Sequence, residues 1–170
     1  NIILLFGDYM MSANYGSKFL LHFEMVADVK AMLLKPWAYL TYMFLHTSVF
    51  HILFNMLFLK AFGDVLKEFI GDSKTVPIFI YGGLAGAILM TVCYNTFPVF
   101  ANELLRPTLG ASAGVMAITV AAATLVPDYT FFLFLLGPVR IKWIALFYVV
   151  LDVILIRIDG NPGGHIAHLG

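Results

Sequence analysis

From Val76 to Phe97 the chain carries no charged side chain, and a helix of about 20 apolar residues is what it takes to cross the hydrocarbon core of a bilayer. In lipid such a run must satisfy every backbone N–H and C=O within itself, so an α-helix is the form open to it outside a closed barrel. A second run, Tyr42 to Phe62, is nearly as long and largely apolar, yet it contains His46, His51 and Asn55. The whole chain follows the same trend, with 61% hydrophobic residues, 12% charged residues and a mean hydropathy of +0.92. That balance lies outside the range of a soluble domain. It predicts an all-α, polytopic membrane helix bundle set in a lipid bilayer. A formal net charge of zero leaves no basic footprint for nucleic acid. The single cysteine, Cys93, sits in an apolar run and reads as a small buried filler.

Residues 1–170 read as one membrane domain. Residues 1–6 look like the end of a membrane helix and 7–41 like an interfacial segment, its charges interleaved with apolar residues. Trp37, Tyr39 and Tyr42 mark a headgroup-level aromatic belt. Spans are expected at 42–62, 76–97, 110–126 and 143–158, with a charged connector at 63–74 and the start of a last helix at 165–170. Gly82 and Gly86 form a small-xxx-small pair, a signal of close helix packing. Phe131 to Leu136 is too short to cross and is broken by Gly137-Pro138. If the loops alternate sides, Lys60, Lys67, Lys74, Arg140 and Lys142 share one face, against Arg106 and Arg157 on the other. The positive-inside rule puts the larger group in the cytoplasm.

Polar groups at membrane depth are costly and turn toward the bundle interior or a wet cavity. His51 and Asn55 are four residues apart and share one helical face. Considered alone, they are as well explained by hydrogen bonds that hold helices together, and His46 reads as structural. Asp152, the lone acid of its span, reads as the partner of a polar group on a neighbouring helix. The stretch Leu109 to Met116 is different. It sets one hydroxyl, Ser112, at the mouth of a helix whose Ala117, Ala121, Ala122 and Ala123 let a neighbour approach at backbone range. A serine becomes a nucleophile when a base lies within hydrogen-bond reach, and histidine has the right pKa for the task. A helix N-terminus adds free backbone N–H groups for an oxyanion, and His51 and Asn55 add side-chain donors.

Other readings fare less well. Gly110 to Gly114 satisfies G-x-S-x-G, but a nucleophile elbow needs a strand before it, and nothing here alternates strand with helix. No histidine pair has the spacing of H-E-x-x-H, so neither a metal nor another cofactor is expected. An intramembrane aspartyl protease needs two membrane-depth acids, and the spans offer Asp152 alone. A channel or transporter is disfavoured by the scarcity of ionisable groups along the spans.

The motifs, taken in order, resemble the rhomboid family of intramembrane serine proteases: Trp37, then His46-x4-His51-x3-Asn55, Gly63 to Gly71, Tyr81, Gly110-x-Ser112, and Ala167-His168-Leu169-Gly170. The resemblance implies a six-helix core, its first and last helices truncated in this chain, and a Ser-His dyad with no third acid. It implies cleavage of transmembrane segments of membrane-protein substrates, with Ser112 as nucleophile, His168 as base, and His51 and Asn55 in the oxyanion hole. His165, one turn before the base, is expected to be loop-facing or structural. Three positions depart from the family pattern: Ala113 for a glycine, Met116 for an aromatic, and Ala38 for an arginine. A multi-pass protein of a bacterial cytoplasmic (inner) membrane is expected, its site opening to the outer side. The alternative function is a catalytically inactive rhomboid-like factor that binds or remodels membrane proteins.

Overall fold

The computed structural model describes residues 20–133, 137–158 and 160–170. The expected helix end at 1–6 and much of the interfacial segment lie outside the described residues. The elements are α1 (Val29–Leu34), α2 (Ala38–Thr41), α3 (Val49–Ile70), α4 (Asp72–Thr96), α5 (Ser112–Leu125), a hairpin of β1 (Thr130–Leu133) and β2 (Gly137–Arg140), α6 (Ile141–Leu155) and α7 (Pro162–His168). Short 3-10 turns at Tyr42–Phe44 and Pro98–Glu103 join α2 to α3 and α4 to α5.

The helix boundaries shift from the sequence expectation, most of all at the two ends of α3. Helix α3 starts at Val49 rather than Tyr42 because Ser48 caps it, its side chain accepting from the His51 N–H at 3.1 Å. His46 therefore precedes the helix instead of riding on it. At the other end α3 runs on to Ile70, since Val65 and Leu66 stay buried on its inner face while its charges point out. The expected connector at 63–74 shrinks to Gly71, whose φ of +78° turns the chain and whose N–H donates to the Lys67 carbonyl at 2.9 Å. Lys60–Asp64 and Lys67–Asp72 ion pairs line this exposed end.

Two described helices, α3 and α4, are long and apolar enough to cross a membrane. Phe50, Leu53 and Leu57 on α3, Ile88 and Val92 on α4, and Leu146, Phe147 and Val150 on α6 are exposed. An apolar exterior of this extent matches a protein solvated by lipid. Helix α5, with 14 residues, is about 21 Å long at 1.5 Å per residue, too short to span. It is the hub, packing against α3, α4, α6 and α7. The small residues make that possible. A Cβ on Gly82 would overlap the Cβ of Ala117, and one on Gly86 would overlap the Ala167 carbonyl oxygen. Gly86 also leaves the room that Ala113 occupies, so the departure at 113 is absorbed by the facing helix.

Met25, Met32, Tyr42, Met43, Met90, Tyr94 and Ile166 form the core at the serine end of α5. Phe62, Val65, Leu66, Ile118, Ala122 and Ile141 form a second core toward its other end. The hairpin was not expected: the run broken by Gly137-Pro138 pairs Phe131 with Val139 and Leu133 with Gly137 in antiparallel register. Asp128 pins it, accepting from Lys142 at 2.7 Å and from Arg140 at 3.1 Å. The fold remains a mostly helical membrane bundle.

Candidate active site

Ser112 is the first residue of α5, and its position is set by the glycine two residues before it. The Gly110 N–H donates to the Tyr42 carbonyl at 2.9 Å, and the Tyr42 hydroxyl donates to the Gly83 carbonyl on α4 at 2.7 Å. Gly110 has a φ of +135°, and a Cβ there would stand 2.9 Å from Cε1 and Nε2 of His51 and 3.5 Å from Oγ of Ser112. Glycine is thus required both by the backbone conformation and by the imidazole lying against it.

The structure brings Ser112 and His168 together. Oγ of Ser112 and Nε2 of His168 are 2.7 Å apart, across 56 residues of sequence. Helix α7 presents this histidine: Pro162 opens the helix, and the side chain of Asn161 accepts from the Gly164 N–H. One turn earlier on the same face is His165, buried rather than loop-facing. Both histidines turn Nδ1 toward one oxygen of Asp152 on α6, His165 at 2.7 Å and His168 at 2.9 Å. Asp152 is buried, and its second oxygen, Oδ2, has no hydrogen-bond partner among the described residues. The resemblance implied no acid at this place, and the structure sets one beside the imidazole. A carboxylate stands on the far side of the imidazole from the serine, in line with the reading of Asp152 as the partner of a polar neighbour.

His51 and Asn55 occupy the first two turns of α3 and line the same cavity as Ser112, of about 660 Å³. The Thr47 backbone N–H donates to Nδ1 of His51 at 3.5 Å, and the Thr47 hydroxyl lies 3.2 Å from the same atom. A backbone N–H can only donate, so Nδ1 is the acceptor and the ring proton resides on Nε2, the nitrogen that faces Gly110. Asn55 is buried and spends one amide N–H on the His51 carbonyl at 3.0 Å, leaving the second. His46 is not in the cavity wall; it is buried behind His51, ring edge to ring face at 4.9 Å. Burial, with His51 adding to it, pushes its pKa down to about 4. Met116, Tyr148, Leu151 and Leu155 supply apolar lining, and Tyr148 meets Phe58 edge to face at 5.3 Å, bridging α6 and α3.

Among the described residues, Asp152, His165 and His168 place one donor atom each within 4.8 Å of one another, a set that zinc accepts. The contacts of 2.7 and 2.9 Å are hydrogen-bond distances, shorter than the ligand-to-ligand edge of about 3.3 Å in a tetrahedral zinc site. As it stands the cluster is a hydrogen-bonded one. Sequence reasoning missed Asp152 and Thr47 as parts of this site. A lone acid in an apolar helix was the available signal for the first, and nothing marked the second.

A family model, the Rhomboid domain, matches residues 34–170. The chain is 27% identical over 129 residues to presenilin-associated rhomboid-like protein A, mitochondrial, of Danio rerio, covering 75% of this chain and 32% of that protein. It is 27% identical over 140 residues to RHOMBOID-like protein 12, mitochondrial, of Arabidopsis thaliana, covering 77% and 42%. With rhomboid-related protein 3 of Homo sapiens it shares 29% over 85 residues, covering 50% and 19%. The chain thus spans less than half the length of these relatives.

Proposed function

Because this chain belongs to the rhomboid family, we propose that it is an intramembrane serine endopeptidase that cleaves transmembrane segments of membrane-protein substrates. The observation that carries this reading is the 2.7 Å contact between Ser112 and His168 at the wall of a cavity set into a lipid-facing bundle. Nε2 of His168 takes the proton of the Ser112 hydroxyl as Oγ adds to the scissile carbonyl. The oxyanion that forms accepts from the Ser112 backbone N–H, from Nε2 of His51 and from the free amide N–H of Asn55. The imidazolium then returns its proton to the leaving amine, and the acyl-enzyme forms as the C–N bond breaks. A water molecule, deprotonated by His168, releases the second fragment and restores Ser112.

The substrate is a peptide bond at membrane depth, and it must reach Oγ as an unwound segment, since a helix hides its carbonyls in its own hydrogen bonds. The cavity is where water and such a segment meet. Ser112, His51 and Asn55 all lie at one end of the bundle, while Lys67, Lys74, Arg140 and Lys142 lie at the other. The positive-inside rule therefore opens the site away from the cytoplasmic or equivalent face. A bacterial cytoplasmic membrane finds no support, because the two relatives matched over three-quarters of the chain are named as mitochondrial. The protein is placed in a membrane as a multi-pass bundle.

An inactive binding factor is the rival, and the presence of both serine and histidine in contact weighs against it. The test is cleavage in proteoliposomes of a reporter carrying a transmembrane segment with exposed tags. Wild-type protein is expected to yield two fragments and Ser112→Ala none, with the variant equally well folded. Fragments of the same size from Ser112→Ala would defeat the reading, as would an inert wild-type protein beside an active family member.

A further inference from the structure

The protease reading uses two residues of a cluster that contains four. Asp152 and His165 are both buried, and neither is required by a serine–histidine dyad. A buried carboxylate is costly unless it is paired, so its position calls for a reason. We infer that Asp152 is a positioning residue for His168, and that His165 holds Asp152 in place, so that this chain works as a Ser-His-Asp triad built from three helices.

Donors and acceptors fix the arrangement. Oδ1 of Asp152 lies 2.7 Å from Nδ1 of His165 and 2.9 Å from Nδ1 of His168. A carboxylate oxygen accepts, so both Nδ1 atoms carry hydrogen. For His168 this fixes the tautomer: with the proton on Nδ1, Nε2 is the bare nitrogen, and Nε2 is the atom 2.7 Å from the Ser112 hydroxyl. Without an acceptor behind it, the ring is free to hold its proton on Nε2, where it cannot receive another from serine. The carboxylate also faces the positive charge that forms on His168 as the serine proton arrives, in a site shielded from water.

His165 completes the device. Its ring stands 6.0 Å from that of His168 and nearly perpendicular to it, at 86°. The two imidazoles approach the same oxygen from different directions and leave the carboxylate one orientation. The spacing supplies this directly, since residues three apart on α7 share a face, and Asp152 on α6 reaches both. The short link from α6 to α7, capped by Asn161, keeps the two helices in that register.

This inference rests on the protease reading, and its test is arranged so that the two can fail separately. Wild-type protein and Asp152→Asn are compared for kcat and KM on a transmembrane reporter in proteoliposomes, per folded molecule. The expected result is a kcat lower by roughly 10³ to 10⁴-fold with KM within about twofold, the pattern of a base held in the wrong tautomer. A kcat within about threefold of wild type would overturn the inference while leaving the protease reading standing. A second measurement does not depend on that variant folding. In Ser112→Ala protein labelled with ¹⁵N-histidine, NMR is expected to find His168 protonated on Nδ1, with a low-field N–H proton, and bare on Nε2. A His168 protonated on Nε2 would overturn the inference. If the wild-type protein proves inert, the protease reading falls and this tautomer measurement still decides the role of Asp152.

Discussion

The imidazole of His51 lies against the α-carbon of Gly110, so closely that a Cβ at 110 would stand 2.9 Å from two of its ring atoms. This contact ties the serine helix to the start of α3. It predicts the consequence of the smallest possible side chain. Gly110→Ala must carry a Cβ at a φ of +135°, a strain of about 1 to 3 kcal/mol, and must push the His51 ring away from the oxyanion site. We expect a lower melting temperature and a loss of cleavage greater than the loss of folded protein, measured on the same sample by thermal unfolding and reporter turnover. Wild-type turnover in Gly110→Ala would show that His51 does not need this place.

Thr47 gives a subtler prediction. Its N–H and hydroxyl both address Nδ1 of His51, leaving Nε2 as the donor. Thr47→Val retains the backbone donor and loses the hydroxyl. A fall in kcat of about tenfold at unchanged KM is expected, less than the roughly 10² to 10³-fold cost of deleting an oxyanion donor outright. Thr47→Ser is expected to restore it. A loss in the serine variant with valine at wild-type turnover would point to packing of the threonine methyl instead.

His46 predicts a pH dependence of stability. It lies before α3, buried, with neither ring nitrogen hydrogen-bonded to a described residue, and its pKa falls from 6.5 to about 4. The unfolded chain therefore takes up a proton that the folded chain refuses. Its contribution is fully present above pH 6.5, declines as the pH drops toward 4 and levels off below that. Thermal unfolding across this range checks it. His46→Leu is expected to flatten the limb; an unchanged limb in that variant would assign it to another group.

Much of this was legible in the sequence, for identifiable reasons. The uncharged run from Val76 to Phe97 announced a membrane-crossing helix whatever its neighbours, and Gly82 and Gly86 announced a close approach that turned out to be to Ala117 and Ala167. The motifs named Ser112, His168, His51 and Asn55, which line one cavity. What was hidden depends on direction in space. The extension of α3 past Phe62 was concealed because Asp64, Lys67 and Glu68 read as a loop until Val65 and Leu66 are seen to share the inner face. Asp152 was weighed as a generic buried acid because periodicity along α6 does not say which residue of α7 it meets. The hairpin after α5 had no alternating pattern long enough to register.

Every step of the account needs the hydroxyl of Ser112 to be a nucleophile raised by His168. The most direct measurement is covalent labelling in detergent with a fluorophosphonate probe, followed by mass mapping of the modified peptide. The prediction is one adduct per folded molecule, on Ser112, lost in Ser112→Ala and strongly slowed in His168→Ala. Folded protein that stays unlabelled while an active family member reacts under the same conditions, or an adduct that survives in Ser112→Ala, would contradict it.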